Sequence, residues 1–138
     1  MPNYTNPDPE QITLLKELPR DRPIHMLNLI SLRKNAAYED GRKASGAEAY
    51  AEYGRQSAQI FKRVGGRIVW SGAFEFMVIG PPDEKWDIAF IAEYPTATAF
   101  FDMVKDPEYR AIVHHRTAAV KTSRLIRLQP KDRGAGFE

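Results

Sequence analysis

The run from Trp86 to Ser123 constrains the fold more than any other stretch of the chain. In Trp86-Asp-Ile-Ala-Phe-Ile-Ala-Glu-Tyr94, residues Ile88, Phe90, Ala92 and Tyr94 fall on one side of an extended chain, because successive strand side chains point to opposite faces. Pro95-Thr96 then turns the backbone, and Thr96 can cap a helix whose apolar stripe is Ala99, Phe100, Met103 and Val104. Asp106-Pro107 breaks that helix and restarts it, aspartate as cap and proline in the first turn. The restarted helix carries Tyr109, Ile112, Val113, Arg116, Ala119 and Val120 on one face, and Thr122 to Leu128 is extended again. A strand and a helix each bury one face against another layer, so this run reads as half of a sheet-and-helix sandwich.

The other half precedes it. Ile24 to Leu32 is a strand with Met26, Asn28, Ile30 and Leu32 on one face and His25, Leu27, Leu29 and Ser31 on the other. Arg33 to Lys43 is a loop longer than a compact domain needs, with Asp40-Gly41 as a turn; its Tyr38 is either a lid residue or a loop anchor. Ser45-x-x-Glu48 is a capping box opening a helix that runs to Val64, and Gly65-Gly66 stops it. Arg67 to Ile79 reads as a long strand with a bulge at Gly72, then Gly80 to Glu84 turns into the Trp86 strand as an antiparallel hairpin.

The order βαββαβ is the ferredoxin-like arrangement, an α+β fold with two helices on one face of a four-stranded antiparallel sheet. An extra N-terminal helix precedes it, capped by Asp8 with Pro9 in its first turn. The expected organisation is an appendage over residues 1–23, the domain over 24–129 and a loose polar tail over 130–138. The strands are apolar on both sides, Leu27 and Leu29 opposite Met26 and Ile30, and Ile91 opposite Phe90. Helices cover one side only, so a homodimer that seals the open sheet face with a second copy is expected.

Composition excludes several classes. With 138 residues, one domain would bury roughly 68% of its unfolded surface, enough for a core without staples. Lys+Arg 20 against Asp+Glu 18 leaves +2, too balanced for a nucleic-acid footprint. The chain has no cysteine, hence no disulfide and no thiolate chemistry. No apolar run approaches the roughly 20 residues that span a bilayer, and the N-terminus does not read as an export signal, so a cytoplasmic protein with no membrane partner is expected.

The chain also resembles a known family. Its carriers are Met26-Leu-Asn-Leu29, Ser45-Gly-Ala-Glu-Ala-Tyr50 with Tyr53-Gly54, Val64-Gly-Gly-Arg67, Val69-Trp-Ser-Gly72, Glu93-Tyr-Pro95, Asp106-Pro-Glu-Tyr109 and His115-Arg-Thr-Ala-Ala119. Over residues 24–128 they resemble the domain of unknown function 1330 family, within the dimeric α/β-barrel superfamily. The resemblance implies a ferredoxin-like protomer with two sheets packing face to face, and brings no reaction with it. The appendage and the long loop after Leu32 depart from the family's shorter members.

Familiar catalytic motifs are missing: no G-x-S-x-G, Walker loop, G-x-G-x-x-G or H-E-x-x-H. Adjacent helix residues point about 100° apart, so His114-His115 is a poor metal pair and neither metal nor cofactor is expected. What remains is a cleft between the layers enclosing Asn28, Tyr53, Trp70, Tyr109, His115 and Arg116. Trp70 and the tyrosines would be apolar walls with a polar tip, Asn28 a ligand-orienting amide, Arg116 a clamp for a carboxylate or enolate oxygen, and His115 the proton-transfer group. Each has a bland counterpart: Asn28 bonded to neighbouring backbone, Tyr53 and Tyr109 in the core, Arg116 in a structural ion pair, His115 facing solvent. Three functions stay open. One is a cofactor-free enzyme acting by proton transfer or oxygenation on a small carbonyl or phenolic substrate. The second is a non-catalytic ligand-binding or stress-linked dimer. The third is a haem-handling monooxygenase, suggested by the Asn, Trp and His that one branch of the superfamily uses.

Overall fold

A computed structural model describes residues 3–132 and 136–137. Its elements are α1 (Pro9–Glu17), β1 (Ile24–Leu32), α2 (Gly46–Arg63), β2 (Arg67–Gly72), β3 (Ile88–Tyr94), α3 (Ala97–Lys105), α4 (Pro107–Ile112), α5 (His114–Ala119) and β4 (Val120–Leu128). The four strands form one antiparallel sheet in the order β2-β3-β1-β4. This is the ferredoxin-like order. Within one chain the sheet is open and does not close into a barrel.

Local chemistry explains the helix limits. Ser45 and Glu48 complete the capping box of α2, each side chain bonding the other's backbone N–H at 3.0 and 2.8 Å. Gly65, at φ +88°, ends that helix in the left-handed region that side-chain-bearing residues avoid. Asp8 Oδ1 accepts from the Glu10 N–H at 2.8 Å, and Asp106 does the same for Glu108 at 2.8 Å, each with proline following. The stretch after Pro107 is two short helices broken at Val113 rather than one, and Val120 already belongs to β4.

Register sorts the strand residues onto two faces. Ile24 faces Tyr94 and Met26 faces Ala92 across β1 and β3, and these four are buried beneath Ile60 of α2 and Phe100, Phe101 and Met103 of α3. Tyr94, Phe100 and Phe101 meet edge to face at 5.4 and 5.7 Å, each such pair worth about 0.5–1.5 kcal/mol beyond its burial. The opposite face carries Leu27 beside Ile91 and Ile126, with Trp70 next to Ile91 and Leu128 next to His25; among the described residues no helix lies over it.

The hairpin differs from the sequence expectation. β2 stops at Gly72 instead of running to Ile79, and its bulge lies between Ile68 and Trp70 instead of at Gly72. Strand β3 begins only at Ile88, because the Asp87 carboxylate turns away to accept the Leu32 N–H at 2.7 Å. Residues 73–79 thus meet no partner strand, and Phe76, Val78 and Ile79 stand 79, 83 and 92% exposed.

The N-terminal segment is tied to the domain along its length. The Tyr4 carbonyl accepts from the Ser123 N–H at 2.6 Å, Leu15 packs on the core, and the Pro19 carbonyl accepts from Arg127 at 2.6 Å. Of the expected tail, residues 133–135 and 138 lie outside the described residues.

Candidate functional site

Two polar clusters flank the seam where α2 packs on α5. The first is phenolic. Tyr50 and Tyr53 are neighbours on α2 with ring centres 5.4 Å apart, and the Tyr53 hydroxyl meets the Tyr109 hydroxyl of α4 at 2.8 Å. The Tyr53 and Tyr109 rings cross edge to face at 6.1 Å. Burial pushes the Tyr50 phenol up to about 12 against the opposing charge of Arg116, and also raises that of Tyr53 well above the usual tyrosine value, with Tyr109 adding to it. Both phenols therefore stay protonated.

Arg116 of α5 is half-buried beside them. It donates to the Thr5 carbonyl at 2.7 Å and to the Ser123 hydroxyl at 3.3 Å, both neutral acceptors. No carboxylate pairs with it among the described residues.

The second cluster surrounds His115, which is 6% exposed. Its Nδ1 lies 2.6 Å from the Tyr38 hydroxyl and its Nε2 lies 3.3 Å from the Gln56 amide nitrogen. That amide nitrogen also donates to Glu52 at 2.6 Å, and Arg55 bonds the same carboxylate. Arg55 and Gln56 hold the Glu52 carboxyl down to about 2. Burial first, and then the adjacent His114, push the His115 pKa below the usual histidine value. The two histidine rings lie 4.1 Å apart and 36° from parallel, so adjacency has not splayed them. Both ring nitrogens of His115 are nonetheless committed inside the protein.

The residues expected to line one cleft are therefore divided. Tyr53, Tyr109 and Arg116 come together; His115 sits on the other side of the seam, buried rather than facing solvent. Asn28 lies on the helix-covered face between Phe90 and Leu125, but its amide donates to the Met26 carbonyl of its own strand at 3.1 Å. Trp70, half-exposed, stands on the open face of the sheet, away from the tyrosines. The reason is the bulge: in unbroken register Trp70 would pair with Phe90 on the helix side, and one extra residue reverses it. Sequence reasoning missed Tyr50, Gln56 and Glu52. Gln56 and Glu52 carry no signal beyond their one-turn spacing on an exposed helix edge, which is usually solvated.

Comparison with known proteins follows the fold. Residues 42–127, more than half of the sequence, match the domain of unknown function (DUF1330) family. The chain belongs to the DUF1330 family. It is similar to a protein of unknown function from Rhodopseudomonas palustris, with 53% identity, 95% of this chain and 99% of that one covered, and a TM-score of 0.91. The methylated form of that protein gives 54% identity, 97% and 99% coverage, and a TM-score of 0.93. A more distant likeness, 16% identical with a TM-score of 0.55 over 83% of this chain and 98% of the other, is to SnoaB, a cofactor-independent oxygenase from Streptomyces nogalater. At that identity the likeness is one of fold. No curated protein matches the chain.

The DUF1330 match takes in the phenolic cluster, Arg116, His115, Gln56 and Glu52, but begins after Tyr38. Strand β1 also precedes it, so the family profile spans less of the domain than the residues from 24 onward that carry the resemblance. No helix among the described residues is long and apolar enough to cross a membrane.

Proposed function

We propose that this DUF1330 protein is a homodimeric small-molecule-binding protein, with Arg116, Tyr50, Tyr53 and Tyr109 forming the binding group for a small carbonyl or phenolic compound that presents an anionic or enolate oxygen. The observation that carries the reading is the Arg116 guanidinium, half-buried and bonded only to neutral oxygens. A cation partly withdrawn from water without a counter-charge loses hydration that neutral acceptors do not fully return. An anionic ligand group would supply that charge, and a planar guanidinium accepts a carboxylate or enolate through paired donors. The Tyr50 hydroxyl, which has no hydrogen-bond partner among the described residues, adds a neutral donor beside it.

Cofactor-free turnover by proton transfer is the enzymatic form of this reading, but His115, with both ring nitrogens bonded to Tyr38 and Gln56, has none free to act on a ligand at Arg116. Oxygenation rests only on a fold shared with SnoaB. The non-catalytic form uses the same binding group without turnover. Native mass spectrometry of freshly purified protein tests the binding: wild type should retain a small acidic or phenolic molecule on the dimer, and Arg116→Gln should lose it. Wild type that carries no such molecule, and whose melting temperature is unmoved by millimolar pyruvate, acetoacetate or 4-hydroxybenzoate, would remove the proposal.

A further inference from the structure

Loop 33–43 overhangs a cleft of about 640 Å³ whose walls include Asn35, Tyr38, Arg42, Lys43, Ser45 and Glu48. Tyr38 connects this cleft to the buried His115. Its ring stands edge-on to His114 and His115, at 6.2 and 5.6 Å between centres, and the Arg42 guanidinium lies 4.5 Å from its centre.

The hydrogen-bond network fixes which atom carries each proton. Glu52 is ionised and can only accept, so the Gln56 atom at 2.6 Å from it is the amide nitrogen. That nitrogen has a second hydrogen, and an amide nitrogen cannot accept, so in its 3.3 Å contact with His115 Nε2 it is the donor. Nε2 must then hold a lone pair. A neutral imidazole has one N–H, which falls on Nδ1 and is donated to the Tyr38 oxygen at 2.6 Å. The proton of Tyr38 itself is left over, with no acceptor among the described residues.

We propose that Tyr38 is the hydrogen-bond donor of a second binding site, in this cleft, for a small carboxylate. His115 is its positioning residue: by donating to the phenol oxygen it turns the Tyr38 proton away from itself and strengthens it as a donor. Lys43 is the cation of the cleft with no carboxylate bonded to it among the described residues, since Arg42 is paired with Asp40, and the Glu48 carboxylate is already occupied by the Ser45 N–H. Arg42 is steadied by Asp40 through contacts of 2.6–3.2 Å, so its fork is held over the Tyr38 ring. This site is separate from the Arg116 group and does not depend on it.

Two measurements test the proposal, with benzoate as the probe. Long-range ¹⁵N–¹H correlation on wild type at about pH 8, where histidine is neutral, should show His115 protonated on Nδ1 and bare on Nε2. The reverse tautomer overturns the proposal without any variant having to fold. Benzoate should then shift the His115 ring signals saturably, and Tyr38→Phe, which keeps the ring but loses the hydroxyl, should weaken that binding about tenfold or more, the weight of one charge-assisted hydrogen bond. Unchanged affinity in Tyr38→Phe, no saturable shift in wild type, or shifts at Arg116 Nε with none at His115 would each overturn it; the last would assign benzoate to the phenolic cluster instead.

Discussion

His115 illustrates how a side chain's chemistry is decided by what each of its atoms meets. The groups facing it are Tyr38, Arg42, Glu52, Arg55, Gln56 and His114; burial, His114 and the two arginines lower its pKa, and Glu52 alone works against them. Its folded-state pKa thus lies below the unfolded value of about 6.5. Between those two values the unfolded chain binds the extra proton, so stability falls as pH drops from about 6.5 toward the folded-state pKa and is fully present above that window. Protonation would also set an N–H of Nε2 against the Gln56 donor. Urea midpoints measured from about pH 8 to pH 5 should decline in wild type and decline less in His115→Gln; equal slopes would show that His115 is not the residue responsible. The sequence marks His115 as one of three histidines, and nothing in its neighbours reveals the burial. Tyr38, which bonds its Nδ1, comes from 77 residues away.

Among the elements, α2 was the most readable and β2 the least. The α2 capping box, apolar stripe and glycine stop are all local features, set within a few residues of one another. Its start carries one constraint that spacing does not reveal. The Gly46 N–H bonds the Lys34 carbonyl, and a Cβ at Gly46 would lie 1.9 Å from the Arg33 carbonyl oxygen, so the loop rests directly on the helix. Gly46→Ala should therefore cost about 1–3 kcal/mol, as overpacking does, and lower the melting temperature. Gly54, mid-helix with open space around it, is the contrasting site: Gly54→Ala should stabilise by about 0.5–1 kcal/mol through helix propensity. If both variants melt alike, the close approach at Gly46 is not a constraint. Strand β2 misled because alternation in Phe74, Phe76 and Val78 describes a strand that could form, whereas a strand exists only where a partner's backbone is in reach. Here Asp87 has taken the partner's first residue elsewhere.

At the scale of the whole molecule, the open sheet face governs the proposed assembly. Leu27, Ile91 and Ile126 lie side by side across three strands, with Trp70 at the margin. A charge at the centre of such an interface would be desolvated without a partner. Leu27→Glu should accordingly convert a dimer into single subunits by light scattering while leaving the helical circular-dichroism signal intact; wild type that stays a single subunit at micromolar concentration would end the dimer proposal. The sequence by itself determined the order of elements, the helix caps and the two-faced strands, and with them the ferredoxin-like fold. These depend on spacing over three to seven residues, where backbone geometry leaves few choices. Only the tertiary structure decided which side chains meet: a one-residue bulge sends Trp70 to the far face, and a loop folds Tyr38 onto His115. Such contacts turn on single-residue shifts between distant segments, and a shift of one leaves the local pattern unchanged while reversing the face.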